Sequence, residues 1–325
     1  MFYIFSILAL LCWSGSDLFS KMGTREKDKN SHWKVVFAVG LIMGIHFFIT
    51  LIGGAIIDNT VGVEAVPKMV ASVFYTDFKL MDFVYYLPIA ALYIFAMVLG
   101  YIGLRYIELS ISSPICNSSG ALAFILCLIF GLTSTADITV TTIVGIAMIT
   151  VGIVALGFVE QHEDEEVKKA RQERANRKYA KSILAFLLPI SYLIIDALGT
   201  VGDEFLFSDW FIEKTGSEMS DYAANSAFEL TFFVLAVFAF IWVKLVKKDN
   251  MFKGNKHLYF GGLCETVGQI FYMAVMFSDF SVGMVIISAY CAISVLWSRI
   301  FLKEKMSWKH YAVIALVIAG IVILG

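Results

Sequence analysis

EQHEDEEVKKARQERANRKYA, residues 160–180, is a densely charged run set near the middle of an otherwise oily chain. Glu and Lys spaced four apart predict a solvated helix there. Its reading as a cytoplasmic linker divides the sequence into two halves, 1–159 and 181–325. Each half holds five apolar stretches of roughly the 20 residues that a bilayer crossing needs. The predicted spans are 2–20, 34–57, 83–104, 108–131 and 139–159, then 181–201, 221–245, 257–278, 280–302 and 307–325. Composition agrees. Hydrophobic residues make up 59% of the 325 and charged residues 16%, against about 45–50% and about 25% in a soluble domain. The surplus of apolar surface requires lipid as the solvent. A net charge of -2 leaves no basic face for nucleic acid.

The basic residues orient the spans. All but Lys68, Lys79 and Lys214 of the 25 Lys and Arg fall in or beside the odd-numbered connections. Cytoplasmic loops are enriched in Lys and Arg, so those connections are predicted inside and both chain ends outside. The first segment lacks the basic start and small-residue cleavage site of a signal peptide. It is read as a retained helix. Residues 65–78, AVPKMVASVFYTDF, are predicted to form a short interfacial helix, and 202–220 an acidic outside connection. Cys12, Cys116, Cys127, Cys264 and Cys291 all fall within spans, without metal-site spacing. They are read as small packing residues.

A charged divide in mid-chain invites a comparison of its two sides. TVGIVALG (150–157) matches IAGIVILG (318–325). Tyr101, Glu108 and Ser110 match Tyr272, Asp279 and Ser281; Trp13, Asp17 and Gly23 match Tyr192, Asp196 and Gly202. Five spans per half put the two copies through the membrane in opposite directions, an arrangement that many secondary transporters use. The predicted fold is an all-α membrane protein of ten transmembrane helices in two inverted five-helix repeats.

The closing residues SRIFLKEKMSWKHYAVIALVIAGIVILG (298–325) carry a turn with Leu302, Glu304, Met306 and Ser307, followed by an apolar helix with an Ala-Gly-Ile step. The first span, LALLCWSGSDLFSKMG (8–23), has an aromatic, small residues and a late Lys. In these two stretches the chain resembles EamA-type transporters of the drug/metabolite transporter superfamily. In the first half the turn has become GLTSTADIT (131–139), without its Glu. The resemblance implies a ten-helix, pseudosymmetric carrier working by alternating access. Many members are drawn with both ends in the cytoplasm, the reverse of what the basic residues predict here.

Ionisable groups in lipid cost about 2.5–3.5 kcal/mol each on insertion scales, so they face a cavity or a partner. Counting from the span starts, His46, Asn117, Glu229, Glu265 and Tyr290 fall near mid-membrane. Glu265 and Gln269 share a helix face four residues apart, with Tyr272 on nearly the same side. Asp17 and Asp196 lie at mirrored depths nearer the ends of their spans, where solvation alone also accounts for them. His46, a lone imidazole on an apolar helix, reads as a packing or hydrogen-bonding residue sooner than as a site residue. Pro88, Pro114 and Pro189 interrupt spans, and broken helices border transport sites. SSPICNSSG (112–120) is the most polar stretch within a span. Its Asn117-Ser118-Ser119 sequon lies in the membrane and is discounted for glycosylation.

No Lys or Arg stands in mid-span, so strongly anionic cargo lacks a counter-charge. The pattern predicts a secondary transporter in the cell membrane for a small cationic, zwitterionic or neutral polar metabolite. Its partners are that solute, protons and the bilayer; it needs no cofactor and no metal. A non-transporting scaffold or sensor is the alternative. An intramembrane enzyme would need a clustered catalytic set, and among His32, His46, His162, His257 and His310 only His46 reads as deep.

Overall fold

The structure, a computed structural model, describes residues 2–25, 27–132, 139–180, 183–252, 256–276, 287 and 289–324. Asp279 and Ser281, and the start of the predicted ninth span, lie outside the described residues. Among those described, regular structure is helical throughout. The first half contains α1 (Phe2–Gly23), α2 (Ser31–Thr60), the short α3 (Lys68–Phe74), α4 (Leu80–Gly103), α5 (Leu109–Cys116), α6 (Ser119–Phe130) and α7 (Val140–Gln161). The linker forms α8 (Glu165–Ala175). The second half contains α9 (Ile183–Leu206), α10 (Asp209–Thr215), α11 (Asp221–Ile241), α12 (His257–Met276), α13 (Tyr290–Trp297) and α14 (Trp308–Leu324). Both α11 and α13 run on into wider π-type turns, Trp242–Val246 and Ser298–Leu302.

Seven helical stretches among the described residues are long and apolar enough to cross a membrane. They are α1, α2, α4, α5 with α6, α7, α9, and α11 with its π turn. The stretches Tyr290–Leu302 and Trp308–Ile323 are shorter, and Glu265 and Gln269 dilute the apolar character of α12.

Two boundaries differ from the sequence reading. The fourth predicted span is two helices, parted at Asn117–Ser118. And α9 continues to Leu206, which takes Asp203 out of the predicted outside connection and into a helix. There Asp203 accepts a hydrogen bond from Tyr93 Oη at 2.5 Å.

Helices pack in pairs drawn one from each half: α1 on α12, α4 on α9, α2 on α11, α5 on α13 and α7 on α14. Further pairs are α2 with α12, α4 with α11, α6 with α9 and α1 with α13. Exchange α1 with α9, α2 with α11, α4 with α12, α5–α6 with α13, and α7 with α14. This set of pairs then maps onto itself. Small residues let the backbones approach, as helix packing in lipid requires. A methyl group on Gly40 of α2 would sit 2.4 Å from the Phe232 carbonyl oxygen of α11. One on Gly320 of α14 would sit 2.9 Å from the Gly145 carbonyl oxygen of α7.

Most of α8 is exposed, as the solvated-helix reading has it, but one of its residues turns inward. Arg171 of α8 is 3% exposed. Its Nε lies 2.7 Å from Glu108 at the start of α5, and a terminal nitrogen lies 2.9 Å from Glu160 at the end of α7. Burial opposes the Arg171 charge, yet Glu108 and Glu160 hold its pKa above the ordinary guanidinium value. His310, fully buried near the start of α14, lies 2.9 Å from Glu160 and 3.1 Å from Glu163. After α8, Tyr179 donates to Glu304 at 2.8 Å. Burial, with Glu304 beside it, pushes the Tyr179 phenol above its usual range. Glu304 also accepts from the Ser110 backbone and hydroxyl. Lys21, fully buried, donates to the Leu104 and Ile107 carbonyls and stands 4.7 Å over the Tyr179 ring. The late Lys of the first span and the Glu of the closing turn thus meet through one linker tyrosine.

Candidate functional site

The break in the fourth span organises the site. Pro114 has no N–H to give to the preceding turn. Four residues later the pairing changes: the Ser118 N–H turns to the Ile115 carbonyl, and Ser118 Oγ donates to the Pro114 carbonyl at 2.7 Å. The parting frees two flanking hydroxyls to point at different helices. Ser113, before the break, donates to Asp17 of α1 at 2.6 Å. Ser119, after it, donates to Asp196 of α9 at 2.6 Å. Asp17 also accepts from Ser294 of α13 at 2.7 Å. The two aspartates that match between the halves therefore grip the same broken helix on either side of its break. They are not interfacial groups that rest on water alone.

Glu265 lies beside this arrangement. It takes a hydrogen bond from Ser16 of α1 and lies within electrostatic range of Asp17. α12 can come this close to α1 because Gly268 leaves room for Trp13: a methyl group there would meet the indole at 2.6 Å. The Trp13 ring centre lies 5.2 Å from Tyr272 and 5.8 Å from Tyr290. Tyr290 lies within electrostatic range of both Asp17 and Glu265, and Tyr192 of α9 within range of Asp196, Glu265 and Tyr290. Asp17, Asn117, Asp196, Glu265, Gln269, Tyr272 and Tyr290 are all half-buried. None is sealed in the packing.

Three donors in this neighbourhood have no partner among the described residues: Trp13 Nε1, Tyr101 Oη and Asn117 Nδ2. Tyr101 is 7% exposed, and Glu265 and Asp17 are the charges within its electrostatic range. A buried donor without an acceptor costs about 1–3 kcal/mol, so these groups are arranged for something that supplies oxygen atoms, water or solute. No Lys or Arg among the described residues pairs with Asp17, Asp196 or Glu265.

Glu229 and His46 form a separate centre. Glu229 is fully buried on α11, and His46 Nδ1 of α2 lies 2.8 Å and 3.0 Å from its two oxygens. Asn225, one turn before Glu229, donates to it at 3.2 Å and accepts from Gln269 Nε2 at 3.0 Å. His46 is thus a partner of Glu229 and not a lone imidazole.

Sequence reasoning marked Tyr101 only as a match between the halves and did not single out Ser113, Ser119, Ser294, Ser16 or Asn225. The polar run 112–120 marks the first two as a region. Asn225 stands four before Glu229, a spacing that puts both on one helix face. Ser294 carries no signal within its own segment.

Residues 205–325 match the model of the EamA-like transporter family. No curated protein matches the chain. The closing turn with Glu304, the break-facing Ser294, Glu265 and Glu229 all fall in the matched region. Over residues 205–325 the chain is therefore similar to the EamA-like transporters of the drug/metabolite transporter superfamily.

Proposed function

We propose that this protein is a secondary transporter that carries a small polar metabolite with an amine group across the cell membrane by alternating access, coupled to protons. The family suggests a multi-pass membrane transporter of the drug/metabolite type; solute class, coupling and mechanism are our reading. Ten helices in two inverted repeats, 1–159 and 181–325, with 160–180 between them, form its frame. The self-mapping set of helix pairs supports that frame.

One observation carries the solute class. Asp17, Asp196 and Glu265 converge without a basic partner, beside Trp13, Tyr272 and Tyr290, and with orphaned donors at Trp13, Tyr101 and Asn117. Carboxylates and ring faces attract an ammonium group. Unpaired N–H and O–H groups suit an acceptor oxygen on the same molecule. Glu265 is the leading residue for binding or coupling, with Gln269, Asn117, Tyr290, Tyr272, Asp17 and Asp196 around it, and with Glu229 and His46 as a linked pair.

A thermal-shift screen of amino acids, amines, sugars and quaternary ammonium compounds on the purified protein tests the class. A compound that binds the folded state raises its melting temperature, by about 2.7 kcal/mol of added stability at a hundred times its Kd. Amine-bearing compounds should do so and sugars should not. Glu265→Gln should abolish transport of the active compound in proteoliposomes with expression preserved. Full transport by that variant at every pH removes Glu265 from the mechanism.

A further inference from the structure

His46, Glu229, Asn225 and Gln269 form one hydrogen-bonded row across α2, α11 and α12. Its two ends differ. Glu229 is fully buried and His46 is 6% exposed. Gln269 is half-buried, one helical turn from Glu265. Among the described residues, Gln269 Oε1 accepts no hydrogen bond. The row therefore starts at a sealed ionisable pair and ends at an open amide in the solute site.

We propose that Asn225 couples the His46–Glu229 pair to the solute site through the direction in which its side-chain amide points. The proposal rests on the transport reading only in naming that site. A carboxylate accepts hydrogen bonds and cannot donate; a primary amide has one accepting oxygen and one donating NH2. While Glu229 accepts, Asn225 presents its NH2 to it and its oxygen to Gln269. Gln269 then commits its NH2 to Asn225 and leaves its oxygen free on the side of Glu265. A proton placed on the Glu229 oxygen that faces Asn225 turns that atom into a donor. The Asn225 amide rotates to accept, its NH2 now faces Gln269, and Gln269 rotates in turn to offer its NH2 on that side. One proton is taken up and no other bond changes. The solute site switches from accepting to donating at that point.

Asn225 is a positioning residue in this scheme and touches no solute. No titratable group on the surrounding α1, α3, α4 or α12 acts on the pair: Glu229 answers to His46 and to the Asn225 amide, and His46 to Glu229 and to the Val73 backbone of α3. At the other end of the row, Glu265 and Tyr272 share the face of α12 that carries Gln269.

The probe is the proton. The full chain, 15N-labelled at histidine and held in nanodiscs, is titrated by NMR, with the His46 signal assigned by its loss in His46→Gln. Gln269→Leu should move the His46 midpoint by at least about half a pH unit, near threefold in proton affinity. With Asn225→Leu also present, Gln269→Leu should move it by less than about 0.2 of a pH unit, because coupling energies report only connected groups. Equal shifts in both backgrounds, no shift in the first, or a His46 that holds one state throughout the titration overturns the proposal. Asn225→Ser, which shortens the side chain without adding bulk, repeats the cycle if the Leu variant does not fold. Failure of the transport reading is seen elsewhere: no screened compound stabilises the protein while the coupling between Gln269 and His46 remains intact.

Discussion

Asp17 shows what a half-buried carboxylate requires. Its Oδ2 takes two serine hydroxyls from two different helices, and these replace the hydration lost on leaving water. Hydrogen bonds to charged groups contribute about 1.5–3 kcal/mol each. Ser294→Ala should therefore lower stability by about that amount, measured as a shift in chemical denaturation in detergent. Ser119→Ala, which strips Asp196 of its serine, should cost about as much. A loss well under 1 kcal/mol in both would show that water replaces the serines freely. These partners illustrate where a sequence stops speaking. Glu265 and Gln269 are legible as a pair because four residues make one turn. Ser113 and Ser294 stand 96 and 277 residues from Asp17, and no local pattern encodes a meeting across such a distance. Asp203 was misplaced for a related reason: acidic neighbours suggest a wet loop, and only Tyr93 and Tyr86, on another helix, draw it in.

The elements were more legible than their contacts. Apolar length marks a span whatever it packs against, so helix positions follow from composition. Pro114 and its serines marked the fourth span as unusual, but a proline alone does not tell a kink from a parting. The turn between α13 and α14 carries its own strain. Lys303 is left-handed, with φ of 60°, and exposed. That conformation costs an L-residue roughly 1–2 kcal/mol and glycine nothing. Lys303→Val should fall below Lys303→Gly in stability by about that margin, read from thermal melts of the two variants under one condition. Equal melting temperatures would mean that the turn relaxes. The position matters because Glu304 follows directly and must reach Tyr179 and Ser110.

At the scale of the whole molecule, the linker ties the halves together at one end. Arg171 reaches Glu108 of the first half and Glu160 at the end of α7, and Tyr179 reaches Glu304 of the second half. Removing one partner of a buried pair strands the other charge and costs about 3–5 kcal/mol. Arg171→Met alone should be destabilising on that scale. Arg171→Met combined with Glu108→Gln and Glu160→Gln should recover much of the loss, since no bare charge is left behind. Denaturation of the single and triple variants in the same detergent decides it; a triple variant as weak as the single would refute the charge argument. Sequence reasoning saw helix and polarity in 160–180 and inferred solvent. Most of α8 does face solvent; Arg171 of that helix and Tyr179 after it are drawn in by partners on α5, α7 and the last turn, which the chain's own pattern could not show.

The parted fourth span has a mechanical consequence. Asp17 holds its near arm through Ser113 and Asp196 its far arm through Ser119, with Asn117 and Ser118 between. Such a piece is jointed: tilting one arm strains one tether and spares the other. A rod of the same length, unbroken, would load both tethers at once and could favour neither side.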